Sequence, residues 1–226
     1  MEERNELYPV FLKVNQLNIL IVGGGNVGHE KLHFLFKSSP HAKVEVVAKW
    51  FLPETEELAK KHGAKLTKAR YKRNYLKKRH LVIAATNDTK LNKRVYKDAK
   101  KRFLLANIAD TPELCDFYMG GIVNKGHVKI AISTNGKSPT TAKRLRQFFE
   151  EVIPENVNEM VENLNEYRKS IKGDFEAKVE QMNSITESLI LKREKKRYCF
   201  FLLNFIDQIV IRCHLFLFVK SLNLAE

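Results

Sequence analysis

Cysteine is scarce in this chain: three residues in 226, Cys115, Cys199 and Cys213, with no CxxC pair. That excludes a disulfide framework and a cysteine-built zinc site, and it fits a reducing compartment. Acids are short as well, 26 against 40 lysines and arginines, for a formal net charge of +14. A partner read from charge is therefore anionic: nucleic acid, an anionic membrane surface or a polyanionic small molecule. Blocks such as YLKKRH (75–80) and YKDAKKR (96–102) are equally at home on a solvated face, so charge alone does not choose. The N-terminus, MEERNELYPVF, has acids and a proline where a signal peptide needs a basic stretch and then an apolar run. The expected location is cytoplasmic.

Long apolar runs are also missing, with one exception, residues 198–219 (YCFFLLNFIDQIVIRCHLFLFV), which follow the basic KREKKR. Their length approaches a bilayer span. Asp207, Gln208 and Arg212 fall mid-segment, and a central charge costs about 2.5–3.5 kcal/mol on insertion. The expectation is a buried interface helix or an atypical tail rather than a membrane span.

What is present alternates. LNILIV (17–22) is a buried-strand pattern running into glycines, and NVGHEKLHFLFKSS repeats apolar residues at helical spacing before Pro40. AKVEVVA (42–48) is a strand, and Pro53 opens a helix with early acids, late lysines and Gly63 as C-cap. A short strand near 65–69, a strand at 80–86, a helix over 89–102 and a strand at 103–109 continue the pattern. Such order predicts an α/β fold, a Rossmann-type doubly wound parallel sheet. Beyond Asp110, GIVNKGHVKIAIST has two strand-like runs around an Asn-Lys-Gly turn, a hairpin, and Ser138-Pro139 opens a helix. Amphipathic helices at 155–171 and 174–191 follow. The expected division is 1–112, an NAD(P)-binding Rossmann domain; 113–150, a small α+β hairpin-and-helix region; 151–191, a helical C-terminal domain; and 192–226, a basic and apolar tail.

The chemistry centres on GGGNVG. Gly23, Gly25 and Gly28 stand at GxGxxG spacing between a strand and a helix, with Asn26 and Val27 on the helix N-terminus. Gly23 permits the tight turn, Gly25 a close approach of backbone to pyrophosphate, and Gly28 helix-on-strand packing; free N–H groups of the helix meet the phosphate. The acid that usually holds the ribose hydroxyls is missing after the second strand, where the chain reads Val47, Ala48, Lys49. Lys49 either meets a 2′-phosphate or is an ordinary exposed lysine, which leaves NAD against NADP open. Thr86, Asn87 and Asp88, and Asn107 to Asp110, sit at strand carboxyl ends, where such sheets bind ligands.

Asp110 is the candidate proton acceptor beside a nicotinamide, its alternative being a turn cap before Thr111-Pro112; Asp116 is the next acid to consider. His29 and His33 have no paired ligand pattern, and no metal site is expected. In STNGKSP (133–139) the hydroxyls, the glycine and a capped helix start suit a carboxylate of an anionic substrate, or an ordinary connection; Lys137, Lys143, Arg144 and Arg146 are close by.

Taken together, YPVFLKV (8–14), the strand into GGGNVG, LVIAATND (81–88), NIADTPELCDF (107–117) and IAISTNGKSPTTAKRLR (130–146) resemble the precorrin-2 dehydrogenase and sirohydrochlorin ferrochelatase family, over residues 7–191. The resemblance implies NAD-dependent oxidation of precorrin-2 to sirohydrochlorin in siroheme biosynthesis, with ferrous iron inserted by some members. It also implies a homodimer built through the hairpin and helical parts. The family's catalytic aspartate matches Asp110, and a serine phosphorylated in some members matches Thr134, where threonine stands. Substrate binding is expected from Asp116, Thr134, Asn135, Gly136, Lys137 and Ser138. A polycarboxylate substrate gives the basic excess a use other than nucleic acid, so no nucleic-acid partner is expected. Two competing readings are a non-catalytic NAD-sensing module, which would need the glycine loop but neither Asp110 nor a basic cleft, and a channel-type regulatory domain, against which the hairpin argues.

Overall fold

Five short strands pair into one fully parallel sheet: β1 (Asn18–Val22), β2 (Lys43–Ala48), β3 (Lys65–Lys68), β4 (Leu81–Ala84) and β5 (Leu105–Ile108), in the order β3-β2-β1-β4-β5. The computed structural model describes residues 4–187 and divides into two units, Met1–Glu159 and Met160–Glu226. In β1, Ile19 to Val22 are all buried, the unbroken apolar run required of a strand covered on both faces. Alternation then sorts the side chains. Ile19 and Ile21 join Leu32 and Phe36 of α1 (Asn26–Ser38) and Val44 and Val46 on one face, beside which α2 (Pro53–His62) packs. Leu20 and Val22 join Val82, Ala84 and Val95 of α3 (Thr89–Lys100) on the other. The chain winds outward from β1 to β3, then crosses to β4 and β5. The reversal between β1 and β4 opens a crevice at their carboxyl ends, the usual ligand position in such sheets.

The expected elements form with ends shifted by a residue or two, except that the helix expected at 174–191 is seen over Phe175–Thr186, and its last expected residues, 188–191, lie outside the described ones. The hairpin differs in its turn: β6 (Gly121–Lys125) and β7 (Val128–Ile132) pair antiparallel, so Asn124 and Lys125 stay in the ladder opposite Lys129 and Val128. The turn residues are Gly126 and His127 rather than Asn-Lys-Gly. Gly126 has φ +59, which puts a glycine at the first central position, and the His127 N–H donates to Asn158 Oδ1 at 2.8 Å. Helix α4 (Pro139–Val152) lies against the hairpin: a Cβ at Gly121 would be 3.3 Å from the Ala142 carbonyl. Two more helices follow, α5 (Val157–Ser170) and α6 (Phe175–Thr186), the latter capped by Asp174, which accepts from the Ala177 N–H at 2.9 Å. Among the described residues no helix is long and apolar enough to cross a membrane, and the run at 198–219 lies outside them, as does the rest of the 192–226 tail.

One buried acid carries a pH prediction. Glu45 of β2 is 5% exposed, accepts from Thr67 Oγ1 at 2.7 Å, and is paired with Lys65 at 3.3 Å and with the Arg79 guanidinium. Burial alone would raise its pKa, but the Thr67 and Lys65 bonds and the Arg79 charge outweigh burial and hold it below the ordinary 4.5. A carboxyl depressed on folding stabilises the native state above its unfolded pKa and loses that contribution as pH falls through the folded value. Wild type should therefore lose stability on acidification below about pH 4.5, with part of the slope due to this group. Glu45→Gln should be less stable at neutral pH, by about 2 kcal/mol, and show a flatter acid limb in urea denaturation. An unchanged limb would remove Glu45 from the acid response.

Candidate functional site

The glycine loop joins β1 to α1 by contacts that leave no room for side chains. Gly23 has φ +124, and a Cβ there would lie 2.2 Å from the Ala85 carbonyl oxygen; a Cβ at Gly28 would lie 2.2 Å from the Gly23 oxygen. Gly25 differs: its Cβ would meet only the Trp50 indole, at 3.4 Å. Gly25 is also the N-cap of α1, with no side-chain cap and no acid in the first turn. The first N–H groups of a helix lack intrahelical partners. Asn26, Val27 and their neighbours thus offer donors at a positive helix end beside open space, which fits the pyrophosphate of a dinucleotide. Gly24, absent from the sequence reading because it falls on a variable position of the fingerprint, is equally constrained: its Cβ would lie 2.4 Å from the Trp50 oxygen, and its carbonyl accepts from the Leu52 N–H at 3.0 Å.

The flanking candidates take different places. Lys49 is exposed just past β2. Thr86 abuts the loop, with its Cγ2 3.3 Å from a Cβ on Gly23, and its hydroxyl donates to the buried Asn92 side chain at 2.6 Å while the Asn92 amide returns a bond to the Thr86 carbonyl at 2.8 Å. Asn87 is exposed at the lip of the crevice. Asp88 caps α3, accepting from the Leu91 N–H at 3.0 Å.

A cleft of about 850 Å³ opens between the α1 flank, the end of β5, the hairpin and α4. Asp110 lies on its wall, two residues past β5, at φ +58 in a left-handed conformation that Asp and Asn tolerate better than other side chains. Asp110 is exposed, and its carboxylate has no hydrogen-bond or ion-pair partner among the described residues. Asn107, 7% exposed, also lines the cleft and donates to the Phe117 carbonyl at 2.8 Å. Lys31, Lys37, Lys143 and Arg146 bring positive charge to the walls; Glu30 and Glu150 offset part of it through ion pairs with Lys31 and Arg146.

From the STNGKSP loop, Thr134 and Gly136 line the cleft, whereas Asn135, Lys137 and Ser138 do not. The Thr134 hydroxyl donates to the Ser138 carbonyl at 3.0 Å, and Ser138 caps α4 by accepting from the Thr141 N–H at 3.2 Å. Asp116 lies outside the cleft lining. It accepts from the Ala106 N–H at 2.9 Å and from Lys100 Nζ at 2.8 Å, while Cys115 Sγ accepts from the Ile108 N–H at 3.3 Å. These side chains satisfy the outer N–H groups of edge strand β5. The surrounding burial pushes the Cys115 thiol pKa up.

The sequence reading missed the α1 wall. Glu30, His33, Phe34 and Lys37 recur at helical spacing opposite the buried Gly28, Leu32 and Phe36, a periodic signal that was there to be read. Lys129 of β7 fixes the far end of that helix, donating to the Ser38 carbonyl at 2.7 Å. Among the described residues no group of three or more His, Cys, Asp or Glu is placed to hold a metal ion.

Comparisons with known proteins agree with this layout. Residues 10–121 match an NAD(P)-binding family, and residues 125–151 match the family described as sirohaem biosynthesis protein central. The chain is 37% identical over 167 residues to a siroheme synthase of Baumannia cicadellinicola, covering 74% of this chain and 36% of that protein. It is 32% identical over 164 residues to siroheme synthase 1 of Klebsiella pneumoniae, covering 73% and 34%. It thus spans about a third of the length of these curated relatives. Its fold is shared with the solved structure of SirC, a precorrin-2 dehydrogenase, at TM-score 0.64 and 24% identity, over 90% of this chain and 98% of the other. With an NAD(P)-binding segment followed by a sirohaem central segment, the chain is similar in sequence to siroheme synthases over about three quarters of its own length.

Proposed function

We infer that the chain oxidises precorrin-2 to sirohydrochlorin with NAD as acceptor. One observation carries the reading: α1 presents its N-terminus to the glycine loop and its flank to the cleft that holds Asp110, so a single helix borders both sites. The bound nicotinamide supplies the hydride acceptor. The chain's own part is then to place the macrocycle and take the proton. Lys37 and Lys143, with Arg146 and Lys31, suit the carboxylates of the rim, and Thr134 and Gly136 line the same cleft. Asp110 Oδ accepts the proton released as the ring is oxidised, so two electrons and one proton leave with NAD and one proton leaves through the carboxylate.

Ferrous iron is proposed as a second substrate, since its insertion needs only a carboxylate to receive pyrrole protons. A homodimer joined through the hairpin and helical parts is part of the same reading, supported by the two-stranded β6–β7 sheet, whose outer edges pair with no strand among the described residues.

The test is to mix the protein anaerobically with enzymatically made precorrin-2 and NAD and to follow NADH and the sirohydrochlorin spectrum. Equal amounts of both products are expected, and ferrous iron added afterwards should convert the product to siroheme. Tight NAD binding without turnover would replace this reading with that of an NAD sensor.

A further inference from the structure

The chain's single tryptophan, Trp50, is 57% exposed and belongs to neither hydrophobic core. An indole left in water forgoes the large stabilisation that burying it would bring. Trp50 nevertheless sits against the glycine loop: a Cβ on Gly25 would lie 3.4 Å from Trp50 Cη2 and 3.8 Å from Cζ2. Its main chain is fastened there, because the Trp50 oxygen closes over Gly24 and the next-but-one residue, Leu52, donates its N–H to the Gly24 carbonyl. The ring is thus held beside Gly25, where a Cβ would meet no backbone atom, unlike at Gly23, Gly24 and Gly28 of the same loop, and beside the uncapped end of α1. It also follows the end of β2, where this fold holds the adenosine ribose. At that place the chain has no acid for the ribose hydroxyls, only Ala48, then exposed Lys49, then Trp50.

We propose that Trp50 is the stacking platform for the adenine of the dinucleotide, and that Lys49 faces the ribose 2′ position, so that NADP is bound about as well as NAD. This rests on the dinucleotide reading of the glycine loop and adds the residues that hold its far half. Aromatic stacking on a base is sequence-tolerant and contributes about 1–3 kcal/mol. A lysine at the 2′ position does not reject a 2′-phosphate as an acid would.

The experiment titrates the full chain with NAD, NADP and nicotinamide mononucleotide, which lacks adenosine, reading both tryptophan emission and calorimetric heat. With one tryptophan the emission reports Trp50 alone. NAD and NADP should change that emission saturably, with affinities within about tenfold of each other, and the mononucleotide should not. Trp50→Ala should weaken both dinucleotides by about tenfold or more, and Trp50→Phe should restore most of the loss. Lys49→Glu should weaken NADP by about tenfold or more while sparing NAD. Heat of binding with unchanged emission, and full affinity in Trp50→Ala, would overturn the platform while leaving the glycine loop's role standing. Rejection of NADP by wild type would overturn the Lys49 assignment. No heat with either dinucleotide would remove the dinucleotide reading itself.

Discussion

Gly25→Asp should fold at least as well as wild type and lose NAD binding, whereas Gly28→Ala should unfold before binding can be asked about. The two positions lie on the same turn and differ in what a side chain would meet. At Gly28 a Cβ lies 2.2 Å from the Gly23 oxygen, a backbone atom that cannot move without pulling β1 from α1. Overpacking at such a junction should cost about 3 kcal/mol or more. At Gly25 the nearest atoms are the indole edge of Trp50, and the backbone already has the extended N-cap conformation, φ −86 and ψ −164. An aspartate there is a good N-cap and would satisfy the donors that are otherwise offered to an anion, adding a few tenths of a kcal/mol over glycine. The same carboxylate would sit within about 4 Å of a bound pyrophosphate, a repulsion of about 4 kcal/mol at an effective dielectric constant of 20. Affinity should fall by on the order of a hundredfold to a thousandfold. Thermal melting and calorimetry on both variants separate the effects. Retained NAD affinity in a folded Gly25→Asp would mean that the phosphates do not approach the α1 N-terminus.

The sheet was legible in the sequence because parallel strands covered on both faces read as short continuous apolar runs, and LNILIV, KVEVV and LVIA are such runs between turn residues. Strand-helix alternation also pointed to a doubly wound parallel sheet, but right-handed crossovers allow more than one strand order, and β3-β2-β1-β4-β5 is known only from the structure. Local rules also located Gly63 at φ +70 and Ser138 as a cap. They were weaker where the choice is made by distant residues. The hairpin turn moved to Gly126-His127 because Asn158, 31 positions later, binds the His127 N–H. Asp116 reads as a free acid in ELCDF, yet its oxygens are engaged by Ala106 and Lys100, since β5 is an edge whose unpaired N–H groups must be met. Asp88 looks like Asp110 in sequence, each two or more residues past a strand, but a helix begins directly after Asp88 and takes its carboxylate as a cap. What separates the acids that line a site from those that hold the fold is the presence of a backbone donor nearby, and that is a tertiary property.

That distinction sets up the second large effect, Asp110→Asn. The turn conformation at φ +58 is itself a reason for Asp at this position, because Asp and Asn enter the left-handed region at less cost than other side chains. A replacement by alanine would mix the loss of the carboxylate with about 1 kcal/mol of backbone strain. Asparagine keeps the conformation and the size, and removes the negative charge and with it the ability to take a proton. If Asp110 is the acceptor, kcat for precorrin-2 oxidation should fall by about a hundredfold to ten-thousandfold, while the melting temperature and NAD affinity stay at wild-type values. Iron insertion, if it uses the same carboxylate for the pyrrole protons, should fall in parallel, since both reactions end with a proton leaving the macrocycle. A split outcome is informative in its own right: oxidation lost with insertion retained would confine Asp110 to the side of the ring facing the nicotinamide. Oxidation within tenfold of wild type in Asp110→Asn would assign the residue to the turn, and the proton would have to leave through another cleft carboxylate. Among those, Glu150 is held by Arg146 and Glu30 by Lys31. The unpartnered state of Asp110 is therefore the reason it ranks first, and the asparagine variant tests that reason without disturbing the fold that places it.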